Sequence, residues 1–283
     1  MKEDRHFHII RQGTWNPIRP VTVAIFAVLL ISEAGWSWGR LGHRVASEMA
    51  EARLSPRALS AIRDLLGPGV TLADISTWAD EQRNPRSGAW HYVDVPIAEY
   101  RYKSRYCPPG GCVVSKIEDF KRVLRDPTAN KTERQQALKF LVHFIEDLSQ
   151  PLHVGDTSSR GGNLIQIRFY NVGANLHRVW DSQIMERHTT NEQVWLWDLN
   201  GVTNPKLAAE WSKGTPEDWA TDTLQVAKKA YCLLGTNTVI PSGTKLGDEY
   251  CNMALPLIQK QLAKAGVRVV AVLNEIFKKD RLR

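Results

Sequence analysis

The chain has 283 residues, 43% of them hydrophobic, with four cysteines, a net charge of +7 and a pI near 9.3. That length supplies ample core for one large domain or two small ones, and the basic balance favours an anionic partner such as nucleic acid, a phosphate ester or anionic lipid. No two cysteines form a tight CxxC pair, which sets a zinc ribbon aside in favour of two disulfides.

Lys2, Arg5, Arg11 and Arg19 form a basic lead into the apolar run 21–31, which is short for a membrane span. Gly35 and Ser37 then supply the small residues that a signal peptidase needs to cut before Trp38. Residues 1–37 read as a signal peptide, with an uncleaved anchor as the other reading. The mature chain would be 38–283, secreted or periplasmic and without stable membrane association. Disulfides persist in those compartments. The removed segment carries four basic and three acidic side chains, so the balance hardly changes.

Apolar residues at helical spacing predict a helix over 46–65, stopped by Gly67-Pro68-Gly69, and a second short helix over 72–83. Residues 90–95 (WHYVDV) alternate like a strand, with His91, Val93 and Val95 on one face and Tyr92 and Asp94 on the other. The loop 101–112 holds Pro108-Pro109-Gly110-Gly111 and is most simply closed by a Cys107–Cys112 bridge. Helices follow over 113–124 and 133–148. In the stretch 140–153 (FLVHFIEDLSQPLH), His143 and Asp147 fall one turn apart on one face, Pro151 ends or bends the helix, and His153 follows. A buried carboxylate must be paired or bound to a metal, and this spacing serves both a hydrogen-bonded His–Asp pair and a metal site.

Gly161-Gly162-Asn163 is a turn leading into a strand over 164–170. Residues 175–185 (NLHRVWDSQIM) resume helical spacing and set His177 and Asp181 four apart. Short helices carry Trp195, Trp197, Trp211 and Trp219. Cys232 and Cys251 bracket a Gly/Pro/Thr-containing loop and are paired, and 255–278 reads as a long amphipathic helix. No repeat or composition break divides the chain, so a mainly α, single-domain fold with a few short strands is expected.

Taken together, Trp38, His43, Asp80, His91, His143, Asp147, His153, His177 and Asp181 form a candidate ligand set. The histidines among them sit in apolar or aromatic contexts, unlike His188 in the polar stretch ERHTT. With WGRLGH, STWADEQR, WHYVDV, FLVHFIEDLSQPLH, GGN and NLHRVWD in that order, the mature chain resembles the S1/P1 nucleases, zinc enzymes related to bacterial zinc phospholipases C.

The resemblance implies the helical zinc phospholipase C / P1 nuclease fold and three zinc ions. Asp80, His91, His143 and Asp147 would hold the first; His153, His177 and Asp181 the second. Trp38, through its freed amino group and carbonyl, would hold the third with His43 and the other oxygen of Asp147. Arg83 and Asp80 would be the catalytic pair, with Arg83 facing the phosphate. Tyr92 would stack on a base, or else be ordinary core, and Asp94 would hydrogen-bond the base edge. Asn163 matches a family asparagine near the site. Arg160 stands where an apolar base contact is expected, a departure that leaves substrate preference open. The implied activity is hydrolysis of single-stranded DNA and RNA to 5′-phosphate products by hydroxide shared between zincs, with 3′-nucleotidase activity, in a monomer. The alternatives are a zinc phospholipase C, and a secreted zinc-binding protein without turnover.

Overall fold

The structure, a computed structural model, describes residues 38–278. The expected signal peptide, 1–37, lies outside them. The first helix, α1 (Arg40–Glu51), is separate from α2 (Pro56–Leu66). The single helix expected over 46–65 is thus two. Pro56 cannot continue a helix from Arg53, but it suits the first turn of a new one, and Ser55 caps that turn by accepting the Ala58 amide at 3.2 Å. The expected helix over 72–83 also divides, into α3 (Leu72–Ile75) and α4 (Trp78–Glu81).

Residues 90–95 keep the expected alternation, with His91, Val93 and Val95 buried and Tyr92 and Asp94 outward. They do not form a strand, because Val93 finds only a single parallel bridge to Val154, and Gly88–His91 is a 3-10 turn. The Cys107–Cys112 bridge is formed. Cys232 and Cys251 are not bonded and remain thiols, which corrects the expected pairing. Cys232 is held at a helix end by a backbone bridge to Val239, whereas Cys251 begins the last helix against the Tyr170 hydroxyl.

Helices α5 (Val113–Arg125) and α6 (Lys131–Asp147) pack as a pair. A capping box starts α6: Asn130 accepts the Glu133 amide at 3.0 Å, and Glu133 accepts the Asn130 amide at 2.9 Å. Its Leu138, Leu141, Val142, Phe144 and Ile145 are fully buried, each stabilising the fold by about 1.5–3 kcal/mol. Pro151 begins a 3-10 turn, Pro151–His153, that leads away from α6.

Strand β1 (Gln166–Phe169) pairs antiparallel with β2 (Val172–Asn175) through Tyr170 and Asn171, which have φ of 48° and 67°, the mirror-image turn that suits a two-residue hairpin. β3 (Lys245–Leu246) adds on the other side of β1, parallel to it. Then come α7 (Leu176–Arg178), a π-helical turn over Val179–Gln183, α8 (Ile184–His188), α9 (Glu192–Gly201), α10 (Pro205–Trp211), α11 (Pro216–Tyr231) and α12 (Asp248–Ile276). The fold is mainly α, as expected.

Two apolar clusters make the core. One centres on α2, α5 and α6; the other holds Trp38, Trp180, Trp195 and the first half of α12. Both α1 and α12 contribute to each cluster. The buried histidines and carboxylates of α1, α4, α6 and the 177–181 segment are embedded in this core.

Candidate metal centre

The i, i+4 spacing in α6 sets His143 Nε2 3.1 Å from Asp147 Oδ2. The turn Gly88–His91 brings His91 Nδ1 to 3.0 Å from both of those atoms. α4 supplies Asp80, whose Oδ1 lies 3.5 Å from His91 Nδ1 and 3.5 Å from His143 Nε2. A tetrahedral zinc with bonds of about 2.0–2.1 Å holds its ligand atoms about 3.3–3.4 Å apart. The separations of each carboxylate from the two imidazoles, 3.0–3.5 Å, bracket that spacing.

The second group lies on the turn after α6 and on the segment after the hairpin. Asn175, at the end of β2, caps α7 by accepting the Arg178 amide at 2.8 Å, and so delivers His177. His177 Nε2 is 3.1 Å from Asp181 Oδ2, and the His153 ring stacks on His177 at 5.1 Å. The π-helical turn contains Asp181; such widened turns recur at functional sites. Gly161 is required here. Its φ is +64°, a Cβ would lie 2.8 Å from the Leu152 carbonyl, and its own carbonyl accepts from His177 Nδ1 at 2.6 Å.

The third group is formed by His43 from α1 and the other face of Asp147. His43 Nε2 is 3.7 Å from Asp147 Oδ1, so the carboxylate turns one oxygen to the first group and one to the third. Trp38 is fully buried beside it. Its indole N–H donates to the Glu146 carbonyl at 3.0 Å, and the Gly39 amide donates to the Asp181 carbonyl at 2.7 Å.

Four of the five imidazoles, those of His43, His143, His153 and His177, are aimed by a hydrogen bond at the rear. His143 Nδ1 donates to the Ser76 carbonyl at 2.7 Å and His153 Nδ1 to the His91 carbonyl at 2.8 Å. A carbonyl only accepts, so Nδ1 carries a proton, and in the neutral ring Nε2 presents the lone pair. Gln150, fully buried, donates to Asp181 Oδ1 at 2.5 Å. Sequence reasoning passed over Gln150 and Glu146. The available signal was the burial demanded of every residue in so apolar a stretch.

Burial dominates the electrostatics. It drives the His43 and His177 imidazoles down to about 3, helped by the neighbouring charges of His143 and His153 respectively. Burial also pushes the Asp181 and Glu146 carboxyls well above their usual range. For His143 it is outweighed by Asp147 and Asp80, which hold the imidazolium well above its ordinary value. Asp147 answers by staying well below the carboxylate range against its burial, through His143 and His153. Such a set repels itself or takes up protons unless a cation sits within it.

Five buried atoms of the set find no hydrogen-bond partner: Asp80 Oδ1, His91 Nε2, Asp147 Oδ1, His153 Nε2 and Asp181 Oδ2. All but the His91 atom face this centre, in which Asp80, His91 and His143, then His43, His143 and Asp147, then His153, His177 and Asp181 each gather ligand atoms within 4.8 Å. Buried polar atoms left this way are costly, and oxygen and imidazole donors suit Zn²⁺. The residues therefore fit zinc.

Arg83 lies half-buried beside the second group, where its charge acts on His177 and Asp181, and Nη2 donates to the Gly88 carbonyl at 3.3 Å. Tyr92 is 37% exposed, which rules out ordinary core. Asp94 is half-buried, its carboxyl raised by burial and by Asp156. Arg160 is exposed at a φ of 51°, and Asn163 closes that turn by donating from Nδ2 to the Arg160 carbonyl at 2.9 Å.

A family model described as S1/P1 nuclease matches residues 38–278. Endonuclease 2 of Arabidopsis thaliana is 32% identical over 265 residues, covering 85% of this chain and 90% of the plant protein. Nuclease P1 of Penicillium citrinum is 30% identical over 272 residues, covering 84% of this chain and 97% of the fungal one. A solved structure of Clostridium perfringens alpha-toxin aligns with a TM-score of 0.45 at 14% identity, over 87% of this chain and 66% of that one. The matched span opens at Trp38 and encloses every clustered histidine and carboxylate, so sequence kinship and buried chemistry coincide, and the chain belongs to the S1/P1 nuclease family and is an enzyme of that type.

Proposed function

We propose that the protein is an exported, monomeric phosphodiesterase that cleaves single-stranded DNA and RNA to 5′-phosphate products, also removes 3′-phosphates from nucleotides, and works with three zinc ions. The observation that carries this reading is that Asp80 and Asp147 each bring a carboxylate oxygen within 3.0–3.5 Å of both the His91 and His143 nitrogens, which lie 3.0 Å apart. His153, His177 and Asp181 would hold a second ion. His43, Asp147 and Trp38 would hold the third once removal of residues 1–37 frees the Trp38 amine. Zinc, when bound, supplies a Lewis acid and lowers the pKa of water toward neutrality.

The chain's own residues would do the rest. Arg83, beside the second group, stabilises charge on the non-bridging phosphate oxygens. Tyr92 offers an exposed ring on which any base stacks, which suits unpaired strands, and Asp94 behind it takes a hydrogen bond from a base edge. Arg160 at the lip adds a cation for a flanking phosphate. The family's nucleases and the basic balance favour nucleic acid over phospholipid.

One assay tests the reading. Zinc-loaded protein is offered denatured DNA, RNA, a 3′-nucleotide and phosphatidylcholine, with R83A in parallel. We expect the first three to be cleaved and R83A to lose about a hundredfold to a thousandfold in turnover with its zinc content unchanged. Cleavage of the phospholipid alone would overturn the substrate assignment, and full turnover by R83A would remove that residue's role.

A further inference from the structure

We infer that Glu146 is the positioning residue of the third metal site, and that its buried carboxylate sets how tightly that one site holds zinc. The inference rests on the three-zinc reading above. Glu146 is fully buried. Its Oε2 accepts from His43 Nδ1 at 2.6 Å, and its Oε1 accepts from the Ser47 hydroxyl at 2.6 Å. Its backbone carbonyl accepts the Trp38 indole N–H at 3.0 Å. The next residue in the chain is Asp147. A single residue thus holds both ligands peculiar to the third site and adjoins the carboxylate that this site shares.

The contrast with the other histidines gives the arrangement its meaning. His143, His153 and His177 are each held at Nδ1 by a backbone carbonyl, of Ser76, His91 and Gly161 respectively. Those acceptors follow from the path of the chain and carry no net charge. His43 alone of these four leans on a side-chain carboxylate. The third site also has the least negative charge of its own: a neutral amine, a neutral imidazole and one oxygen of a carboxylate already shared. A carboxylate behind the imidazole fixes the tautomer that points Nε2 at the ion and makes that nitrogen a stronger donor. Ser47, one turn along α1 from His43, holds the carboxylate in that orientation.

Outer partners of this kind contribute about 10–100-fold in metal affinity. Zinc is titrated into wild type, E146A and E146Q against a competing chelator, with the bound number counted by native mass spectrometry. Thermal unfolding of the metal-free forms runs alongside. We expect wild type to hold three ions, and E146A to weaken one of them about 10–100-fold while two are unchanged. E146Q keeps shape and an acceptor but no charge; it should weaken the same ion by about tenfold, with a metal-free melting temperature near wild type. Three ions at wild-type affinity in both variants would overturn the assignment. So would an equal loss at all three sites, which marks a structural role only. Wild type holding fewer than three ions would instead sink the three-zinc reading, and this inference with it.

Discussion

Asp147→Asn perturbs the centre at its most connected side chain. Oδ2 lies 3.0 Å from His91 Nδ1 and 3.1 Å from His143 Nε2, while Oδ1 lies 3.7 Å from His43 Nε2. The side chain has no exposure, so water cannot replace what is lost. Asparagine keeps the volume and one carbonyl oxygen but removes the charge and turns a donor toward one group. Taking one partner from a buried ion pair costs about 3–5 kcal/mol. At about 1.4 kcal/mol per tenfold, that is about a hundredfold to several-thousandfold in affinity for each ion the carboxylate touches. Two of the three groups use Asp147; the group of His153, His177 and Asp181 does not. Zinc counting by native mass spectrometry should therefore give three ions for wild type, one for D147N and two for D181N. If D147N holds three ions at wild-type affinity, or if the two variants lose the same number, the bridging role is refuted.

Acid should unfold the metal-free protein chiefly below about pH 4. His43 and His177 sit near 3 in the fold, so below about pH 6.5 the unfolded chain binds more protons, and each costs about 1.4 kcal/mol per pH unit down to about pH 3. His143, held high, works the other way: its contribution is full below about pH 6.5 and fades as pH rises through its folded value. His153 joins the lowered histidines, while Asp181 and Glu146, held high by burial, oppose them down to about pH 4, below which Asp147 adds to the loss. Urea midpoints in EDTA should therefore fall gently from about pH 6 to pH 5 and steeply below about pH 4, and an equally steep fall throughout would contradict the balance. A protein with one extra residue before Trp38 has an amide where the amine would be, and should bind two zincs; three would exclude the terminal ligand. Asp222 accepts from Lys264 at 2.5 Å and Arg268 at 2.8 Å, both of them buried. Since Asp222 is itself 38% exposed, D222N should cost about 2 kcal/mol, less than a buried pair, and lower Tm by about 4–8 °C. A shift below about 1 °C would show that solvent screens the pair.

The parts of the site legible in the sequence were those governed by short-range periodicity. His143 with Asp147, and His177 with Asp181, meet because side chains four apart share a helix face. The inward and outward faces of 90–95 were legible for the same reason. Whether that stretch was a strand was not, because pairing depends on a partner, and the stretch finds a single bridge, Val93 to Val154. The break at Pro56 was written in the sequence and outweighed by the apolar period on either side of it. The π-helical turn at Val179–Gln183, in which Trp180 and Asp181 are buried, has no sequence mark. Glu146 and Gln150 were hidden for a different reason: their partners, His43 and Asp181, lie 103 and 31 residues away. The Cys232–Cys251 pairing failed because separation along the chain says nothing about where two thiols point.

The two apolar clusters lend the metal centre a mechanical role. α1 and α12 run through both, but the densest polar junction in the core is the set of buried histidines and carboxylates, drawn from α1, α4, α6 and the π-helical turn. Filled with cations, that junction binds the halves into one cooperative unit. Emptied, it becomes a seam of like charges and trapped protons, and the halves should open separately. Hydrogen exchange would then report one opening free energy in zinc and two in chelator, and a protease would find the seam long before the protein had lost its helices.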